Sequence, residues 1–133
     1  MAAEPSSRRI LVVDDDDQIR DILATALTGD GHTVDGARDG GEALSLLELR
    51  PYDLVLSDLH MPRMDGPSLY EMLRNRHHFP VRFATKLPRV IFMTGNASKH
   101  AEFLRGTTDP ILEKPFELRI VRKMVRVLLT ATP

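Results

Sequence analysis

Runs of branched apolar residues alternate along the chain with segments in which apolar residues recur every three or four positions. The run Ile10–Val13 is apolar throughout, which is typical of a strand buried on both faces of a parallel sheet. Further strong strands are predicted at Tyr52–Leu59 and Arg89–Met93, and weaker or shorter ones at Thr33–Ala37 and Ile111–Leu112. The pattern therefore predicts five strands.

Helical spacing follows each of these strands. Apolar residues at 19, 22, 23, 26 and 27 predict a helix after the first strand, and Asp16 and Asp17 suit the positive end of its dipole. Further helices are predicted at 41–50, around 69–73, at 98–105 and at 117–129. Strands that alternate with helices favour a mainly parallel sheet with helices on both faces.

The expected fold is α/β, with a doubly wound five-stranded parallel sheet between two layers of helices. Right-handed crossovers favour the strand order 2-1-3-4-5, which changes direction between strands 1 and 3. A length of 133 residues suits one domain with one core. We expect a disordered tail at 1–8, the domain at 9–129, and a short tail at 130–133 with no second domain after it.

Composition narrows the class of protein. Hydrophobic residues make up 42% and charged residues 28% of the chain, as in globular domains, so disorder of the whole chain is not expected. There is no Cys, which excludes disulfides, thiolate metal sites and cysteine nucleophiles. The net charge of −1 gives no argument for nucleic acid, and no apolar run is long enough for a membrane span. We expect a cytoplasmic protein that contacts neither nucleic acid nor a membrane.

Polar side chains stand at the predicted carboxyl ends of four strands. Asp14 and Asp15 follow the first strand, Asp58 ends the third, Thr94 ends the fourth and Lys114 follows the fifth. In a parallel sheet these ends share one edge, with a crevice between strands 1 and 3. The five side chains are therefore expected to converge there.

Three carboxylates in one crevice need a cation or a proton. Two carboxylates about 4 Å apart repel by roughly 4 kcal/mol at an effective dielectric near 20. Oxygen ligands without His or Cys favour a hard ion, most simply Mg²⁺. A hydroxyl and an ammonium beside the ion suit a phosphoryl group, which a carboxylate can accept. Asp58 is the favoured acceptor because it stands alone on its strand, whereas Asp14 and Asp15 form a pair.

Four motifs occur in order along the chain: ILVVDDD (10–16), DLVLSDLHMPRMDG (53–66), VIFMTG (90–95) and ILEKPF (111–116). With these motifs the chain resembles the receiver domain of two-component response regulators. The resemblance covers residues 9–129 and implies the flavodoxin-like form of the predicted fold. It also implies that Asp58 accepts a phosphoryl group from a sensor histidine kinase or a histidine phosphotransfer protein, with self-phosphorylation and autodephosphorylation as the only catalysis. Phosphorylation would switch a surface that binds a downstream protein.

The same resemblance implies a role for each residue of the site. Asp15 and Asp58 bind Mg²⁺ directly, Asp14 acts mainly through water, and the backbone carbonyl of His60 is the third protein ligand. The resemblance further implies that two side chains contact the phosphoryl oxygens and that a cis peptide bond precedes Pro115. Those two side chains are Thr94 and Lys114.

Three departures from the family's pattern bear on how such a switch works. The position three before the lysine holds Ile111, where similar domains often carry an aromatic residue that moves. Only 15 residues separate Thr94 from Ile111 once Gly95 is set aside, so the helix between them is expected to be short. The basic segment 76–89 is longer than usual. The ILEKPF form and the short helix resemble receivers attached to hybrid histidine kinases, and a stand-alone regulator is the other expectation.

Two other functions stay open. An interaction module that is never phosphorylated would need Ile111 and the short helix to have disabled the switch. A phosphatase with Asp14 as nucleophile would use the D-x-D pattern of Asp14 and Asp16, as haloacid-dehalogenase-like phosphatases do, but it leaves Asp58 without a role. A homodimer through the face formed by 98–105, the last strand and the last helix is compatible with the sequence, which does not establish it.

Overall fold

The sheet has the predicted order. The structure, a computed structural model, describes residues 7–60, 68–69, 71, 88–106 and 109–130. Within these ranges five parallel strands form one sheet in the order β2-β1-β3-β4-β5, which confirms the predicted fold class. The strands are β1 (Arg9–Val13), β2 (Thr33–Ala37), β3 (Leu54–Asp58), β4 (Arg89–Thr94) and β5 (Ile111–Glu113).

Four α-helices lie in the described ranges, and two of them have side-chain caps. Asp16 accepts hydrogen bonds from the amides of Gln18 and Ile19, and Asp39 accepts one from Glu42, so each satisfies donors of a first helical turn. Of the helix predicted around 69–73, the structure describes 69 and 71, which are helical, as is the preceding residue 68. Most of the segment 76–89 lies outside the described residues. The helices are α1 (Asp17–Gly29), α2 (Gly40–Leu49), α3 (Ala101–Arg105), which follows a 3₁₀ turn at Ser98–His100, and α4 (Leu118–Thr130).

The core has two halves, one on each face of the sheet. Alternate residues of a strand point to opposite faces, and here both faces are apolar, so neighbouring residues such as Leu11 and Val12 are both fully buried. Leu11 belongs to the half that contains Ala43 and Leu47 of α2, whereas Val12 belongs to the half with α1 and α4. This arrangement confirms the three layers. None of the helices that the structure describes has the length and apolar character needed to cross a bilayer.

The helix between β4 and β5 is short, as predicted. It has five residues, none of which is fully buried. Its main aromatic contact is edge-on, because the ring of Phe103 meets that of Phe92 in β4 at a centroid distance of 5.2 Å and an angle of 83°. Phe103 and Leu104, both partly buried, pack this short helix against the core.

An ion pair joins the end of α1 to α4. The guanidinium of Arg122 donates from Nε to Asp30 Oδ2 at 2.9 Å and from Nη2 to Asp30 Oδ1 at 2.5 Å. The hydrogen bond from Arg122 lowers the pKa of the Asp30 carboxyl. A lowered pKa means that the pair stabilises the fold above the ordinary carboxyl pKa of about 4, and that this stabilisation is lost as the pH falls through the lowered pKa.

Arg122→Met is therefore expected to lower the melting temperature at pH 7 by a small amount, and the difference from wild type should shrink towards pH 3. Arg119→Met is a suitable control, since Arg119 pairs with Glu117 only two residues away and joins no second helix. Thermal unfolding followed by circular dichroism at several pH values would measure both. A difference that does not change with pH would contradict the assignment to this carboxyl.

Candidate functional site

The structure places the predicted site residues at one edge of the sheet. Asp14 and Asp15 directly follow β1, Asp58 is the last residue of β3, Thr94 is the last of β4, and Lys114 directly follows β5. The parallel register brings these ends level, since Val13 lies opposite Ser57, Asp58 opposite Met93, and Thr94 opposite Glu113. Sheet topology alone therefore brings residues that are 100 positions apart in the chain into contact.

Three carboxylates meet in this crevice. Asp14, Asp15 and Asp58 each offer an oxygen, and these oxygens all lie within 4.8 Å of one another. Asp14 and Asp58 are buried, whereas Asp15 is exposed. The ammonium of Lys114 donates to Asp14 Oδ2 at 2.8 Å and to Asp58 Oδ2 at 3.3 Å. One ammonium leaves the three carboxylates with an excess of negative charge, and an all-oxygen donor set of this kind fits Mg²⁺.

Asp14 is held at every polar atom. Its amide donates to the carbonyl of Ala37 at 3.1 Å, and its Oδ1 accepts a hydrogen bond from the amide of Asp16 at 2.9 Å. Its Oδ2 accepts from Lys114, and its backbone carbonyl accepts from Arg20 at 2.7 Å. A fully buried carboxylate with both oxygens bound is suited to fixing its neighbours and is poorly placed to attack a substrate.

Asp58 has a different environment. Its Oδ1 accepts a hydrogen bond from the amide of His60 at 3.2 Å, and its Oδ2 faces Lys114. Burial, together with the charge of Asp14, raises the pKa of the Asp58 carboxyl, although Lys114 and the His60 amide oppose the rise. Burial lowers the pKa of the Lys114 ammonium, but the hydrogen bond and charge of Asp14 and the charge of Asp58 outweigh it, so the pKa is raised overall. The lysine is therefore protonated at neutral pH.

Thr94 begins a chain of hydrogen bonds that leads away from the site. Its hydroxyl oxygen accepts from the amide of Asn96 at 3.0 Å, and Asn96 Oδ1 accepts from the amide of Lys99 in the 3₁₀ turn at 3.2 Å. The backbone carbonyl of Thr94 accepts from the amide of Lys114 at 2.8 Å, which fixes the two site residues relative to each other. The Lys114–Pro115 bond is cis, as the family resemblance implied.

Sequence reasoning missed the involvement of Arg20. Its guanidinium reaches back from the first turns of α1 to the carbonyl of Asp14 and also pairs with Asp17. The only sequence signal for this contact was a basic residue soon after an acidic loop. Its position in the helix is equally compatible with a side chain that points to solvent. The backbone of the loop, and not the helical spacing, determines where this side chain goes.

The chain belongs to the response regulator receiver family, because the family model for the response regulator receiver domain matches residues 10–126. It is 35% identical over 125 residues to the response regulator MprA of Mycobacterium sp. strain KMS, covering 93% of this chain and 51% of the relative. It is 34% identical over 129 residues to the probable transcriptional regulator ycf27 of Cyanophora paradoxa, with 97% and 51% coverage. The chain therefore spans about half the length of the curated relatives that it matches.

Solved structures agree with this assignment. A Francisella response regulator receiver domain superimposes with a TM-score of 0.77 at 29% sequence identity. The match covers 96% of this chain and 100% of the Francisella chain. The response regulator TrrA of Thermotoga maritima, solved in complex with Mg²⁺-BeF, superimposes with a TM-score of 0.75 at 28% identity, covering 91% and 98%. The chain is thus a receiver domain of the two-component type.

Asp58→Asn is expected to stabilise the metal-free protein. A carboxyl whose pKa is raised by folding favours the folded state at low pH, and this advantage is lost as the pH rises through the raised value. At neutral pH the Asp58 charge opposes folding, while Lys114 keeps Asp14 as its closer partner when that charge is removed. We expect a gain of about 1 kcal/mol in the free energy of unfolding, measured by urea denaturation in EDTA at pH 7.5. A loss of stability there would contradict the electrostatic account.

Proposed function

We propose that this domain accepts a phosphoryl group on Asp58, in an Mg²⁺-dependent transfer from a phosphohistidine of a sensor histidine kinase or a histidine phosphotransfer protein. The observation that carries the proposal is the contrast between Asp58 and its neighbours. Asp58 lies at the meeting point of an ammonium, a backbone amide and two further carboxylates. Membership of the receiver family supports the same assignment.

The transfer follows from these contacts. An oxygen of Asp58 attacks phosphorus, the P–N bond of the donor breaks, and the imidazole nitrogen leaves with its electron pair and takes up a proton. The product is an acyl phosphate on Asp58. Lys114, protonated and on the Oδ2 side of Asp58, is placed to neutralise a phosphoryl oxygen. Thr94 uses its oxygen to accept from Asn96, which leaves its hydroxyl hydrogen to donate to a phosphoryl oxygen.

The proposed metal ligands are those that the family resemblance implies. Asp15, exposed at the rim, and Asp58 would bind Mg²⁺ directly, and their carboxylate oxygens lie within 4.8 Å of one another. The backbone carbonyl of His60 would be the third protein ligand, on the resemblance alone. Asp14 would act through water, because both of its oxygens already accept hydrogen bonds. When bound, Mg²⁺ neutralises charge on the transferring phosphoryl group.

The output is a switch in a protein-binding surface. A phosphoryl group on Asp58 would draw the Thr94 hydroxyl towards it and away from Asn96, whose Oδ1 accepts a hydrogen bond from the Lys99 amide in the 3₁₀ turn that leads into α3. No aromatic residue is needed for this route, and Ile111 is already 38% exposed. The affected surface comprises β5, α3 and α4, and it would bind a downstream protein or a second copy of the chain. The proposal concerns the receiver domain alone, which has no charge excess that favours nucleic acid.

The phosphatase alternative fits the geometry less well. It requires Asp14 to attack a substrate, yet Asp14 has no exposed surface and both of its oxygens are bound. An interaction module that is never phosphorylated remains a separate hypothesis, which the labelling experiment addresses directly.

The test is to incubate the protein with Mg²⁺ and a small acyl phosphate and to record its intact mass with and without EDTA. We expect one added phosphoryl group per chain, dependent on Mg²⁺, on a peptide that contains Asp58. Rapid hydrolysis is separated from lack of reaction by also measuring beryllofluoride binding, which requires the same site but forms no labile bond. Absence of both the adduct and beryllofluoride binding would overturn the proposal in favour of the interaction module.

A further inference from the structure

Arg20 connects the first helix to the backbone of the acidic loop. Its Nη1 donates to the carbonyl oxygen of Asp14 at 2.7 Å, and its Nη2 pairs with the carboxylate of Asp17. The side chain is only 17% exposed, in contrast to the 79% exposure of Asp17. A guanidinium that is mostly buried against a backbone carbonyl has lost water on several sides and is held in one direction.

The carbonyl that Arg20 binds belongs to the peptide that leads into Asp15. Because a peptide unit is planar, fixing the direction of the Asp14 carbonyl also fixes the amide N–H and the Cα position of Asp15, to which its side chain is attached. The other contacts of Asp14 act on its amide, which bonds Ala37, and on its carboxylate, which bonds Asp16 and Lys114. Among the hydrogen bonds of the described residues, Arg20 is therefore the contact that orients the Asp14–Asp15 peptide from outside the loop.

The side chain of Arg20 lies against a glycine. A Cβ on Gly36 in β2 would lie 3.4 Å from Cδ and 3.7 Å from Nε of Arg20. Gly36 does not have a positive φ, so its backbone conformation is open to any residue. The lack of a side chain there provides space for Arg20 to cross the strand towards the loop.

We propose that Arg20 is a positioning residue for the metal site, which orients the Asp14–Asp15 peptide so that the exposed Asp15 carboxylate faces the cation. The inference rests on the proposed function, in which Asp15 and Asp58 bind Mg²⁺. Replacing a residue that orients a metal ligand without binding the metal itself typically weakens metal affinity or activity by about 10-fold to 100-fold.

Because Arg20 is positively charged, the direction of the change in Mg²⁺ affinity when it is replaced distinguishes positioning from a simple charge effect. A positive charge close to an acidic cluster repels a divalent cation, so removing that charge alone would tighten Mg²⁺ binding. Removing a positioning contact has the opposite effect and weakens binding. The two roles therefore predict changes of opposite direction in the same variant.

The experiment measures the Mg²⁺ dissociation constant of the full chain by isothermal titration calorimetry. For Arg20→Met, which keeps an unbranched side chain along Gly36, we expect the constant to rise by about 10-fold. Arg20→Lys, which keeps the charge but not the planar fork, should also weaken binding, although less strongly. Arg38→Met is the matched control, because Arg38 lies just after β2 at the same edge but pairs with Glu42. Tighter binding by Arg20→Met, or no change, would overturn the proposal.

A second pair of variants tests the path without touching Arg20. Gly36→Ala places its Cβ at an ordinary contact distance and should leave Mg²⁺ affinity unchanged within about twofold. Gly36→Val adds branches that compete with Arg20 for the same space, and should weaken Mg²⁺ binding while favouring the strand conformation. Weaker metal binding in a protein that is no less stable would support positioning. Equal affinity in the Val and Ala variants would count against it.

A readout in metal-free protein separates this inference from the proposed function. In EDTA, Arg20→Met should speed amide hydrogen exchange at Asp16, whose N–H donates to Asp14 Oδ1, because the loop is less fixed. The Arg38→Met control should not. If wild-type protein fails to be labelled on Asp58 but these effects are present, the proposed function fails and Arg20 still orients the loop. If labelling succeeds and exchange at Asp16 is unchanged, only the role of Arg20 fails.

Discussion

Asp58→Asn is expected to abolish the phosphoryl adduct that an acyl phosphate forms on the wild-type domain in Mg²⁺. An amide oxygen is far less nucleophilic than a carboxylate, and no other described carboxylate has the same set of neighbours. Asp14 is closed off by its own hydrogen bonds, and Asp15 is exposed but has no recorded contact with Lys114. Loss of the nucleophile should reduce labelling by about 10³-fold or more, which intact mass spectrometry would record as no adduct.

Two further variants give this result its meaning. Asp21→Asn removes one carboxylate from the exposed surface of α1 and should be labelled like wild type. Asp14→Asn should fold less well and bind Mg²⁺ more weakly, but any adduct that forms should still be on Asp58. Full labelling of Asp58→Asn would contradict the assignment, and hydrolysis of a small phosphate ester lost only in Asp14→Asn would support the phosphatase alternative.

Asp58→Asn is expected to be more stable than wild type and yet unable to form the adduct, and this combination is informative. A carboxylate that is buried beside another carboxylate opposes folding, so packing alone gives no reason for Asp58 to be there. Clusters of this kind are typical of functional sites, where the arrangement of charge serves a ligand. A stability gain together with a complete loss of labelling would show that the charge of Asp58 serves phosphorylation.

The fold could be predicted from the chain because its strands are buried on both faces. Ile10–Val13 has no polar residue, and only a strand covered by helices on both sides accommodates such a run without exposing it. The bounds of β3 were harder to place. The strand was predicted at Tyr52–Leu59 and extends over Leu54–Asp58. Just before its start, the carboxylate of Asp53 accepts the Arg9 amide in place of a backbone carbonyl. A side-chain acceptor that takes the place of a backbone carbonyl between two strands leaves no trace in the hydrophobic pattern of the sequence.

The site was predictable to the level of which strand ends meet, and less so beyond it. Parallel topology requires Asp14, Asp58 and Lys114 to share an edge, and their contacts agree with that expectation. Neither the contact of Arg20 with the Asp14 carbonyl nor that of Asn96 with the Lys99 amide could be predicted. Both depend on how far a side chain reaches across a loop whose path is determined only in the folded protein.

Lys114→Met is expected to lower the free energy of unfolding by about 3 kcal/mol in metal-free protein at pH 7.5. Within the described residues Lys114 is the ammonium that contacts both Asp14 and Asp58, and its side chain is only 20% exposed. Methionine keeps a similar length but leaves two buried carboxylates without a cation. The loss should diminish as the pH falls, because burial raises the pKa of the Asp58 carboxyl and its protonation removes one unpaired charge. Urea denaturation in EDTA at pH 5 and pH 7.5 would measure it, with the exposed Lys123→Met as control.

Mg²⁺ should act on this variant in two opposite ways. It supplies the missing positive charge, so Mg²⁺ should restore part of the stability and should bind the variant at least as tightly as wild type. It does not replace the ammonium that faces the transferring group, so labelling by acyl phosphate at saturating Mg²⁺ should still be about 10²-fold slower. Tighter metal binding with slower labelling would separate the role of Lys114 from that of the carboxylates. Labelling at the wild-type rate would show that Lys114 only balances the charge of the carboxylates. A stability equal to wild type in EDTA would show that Lys114 does not stabilise the carboxylates either.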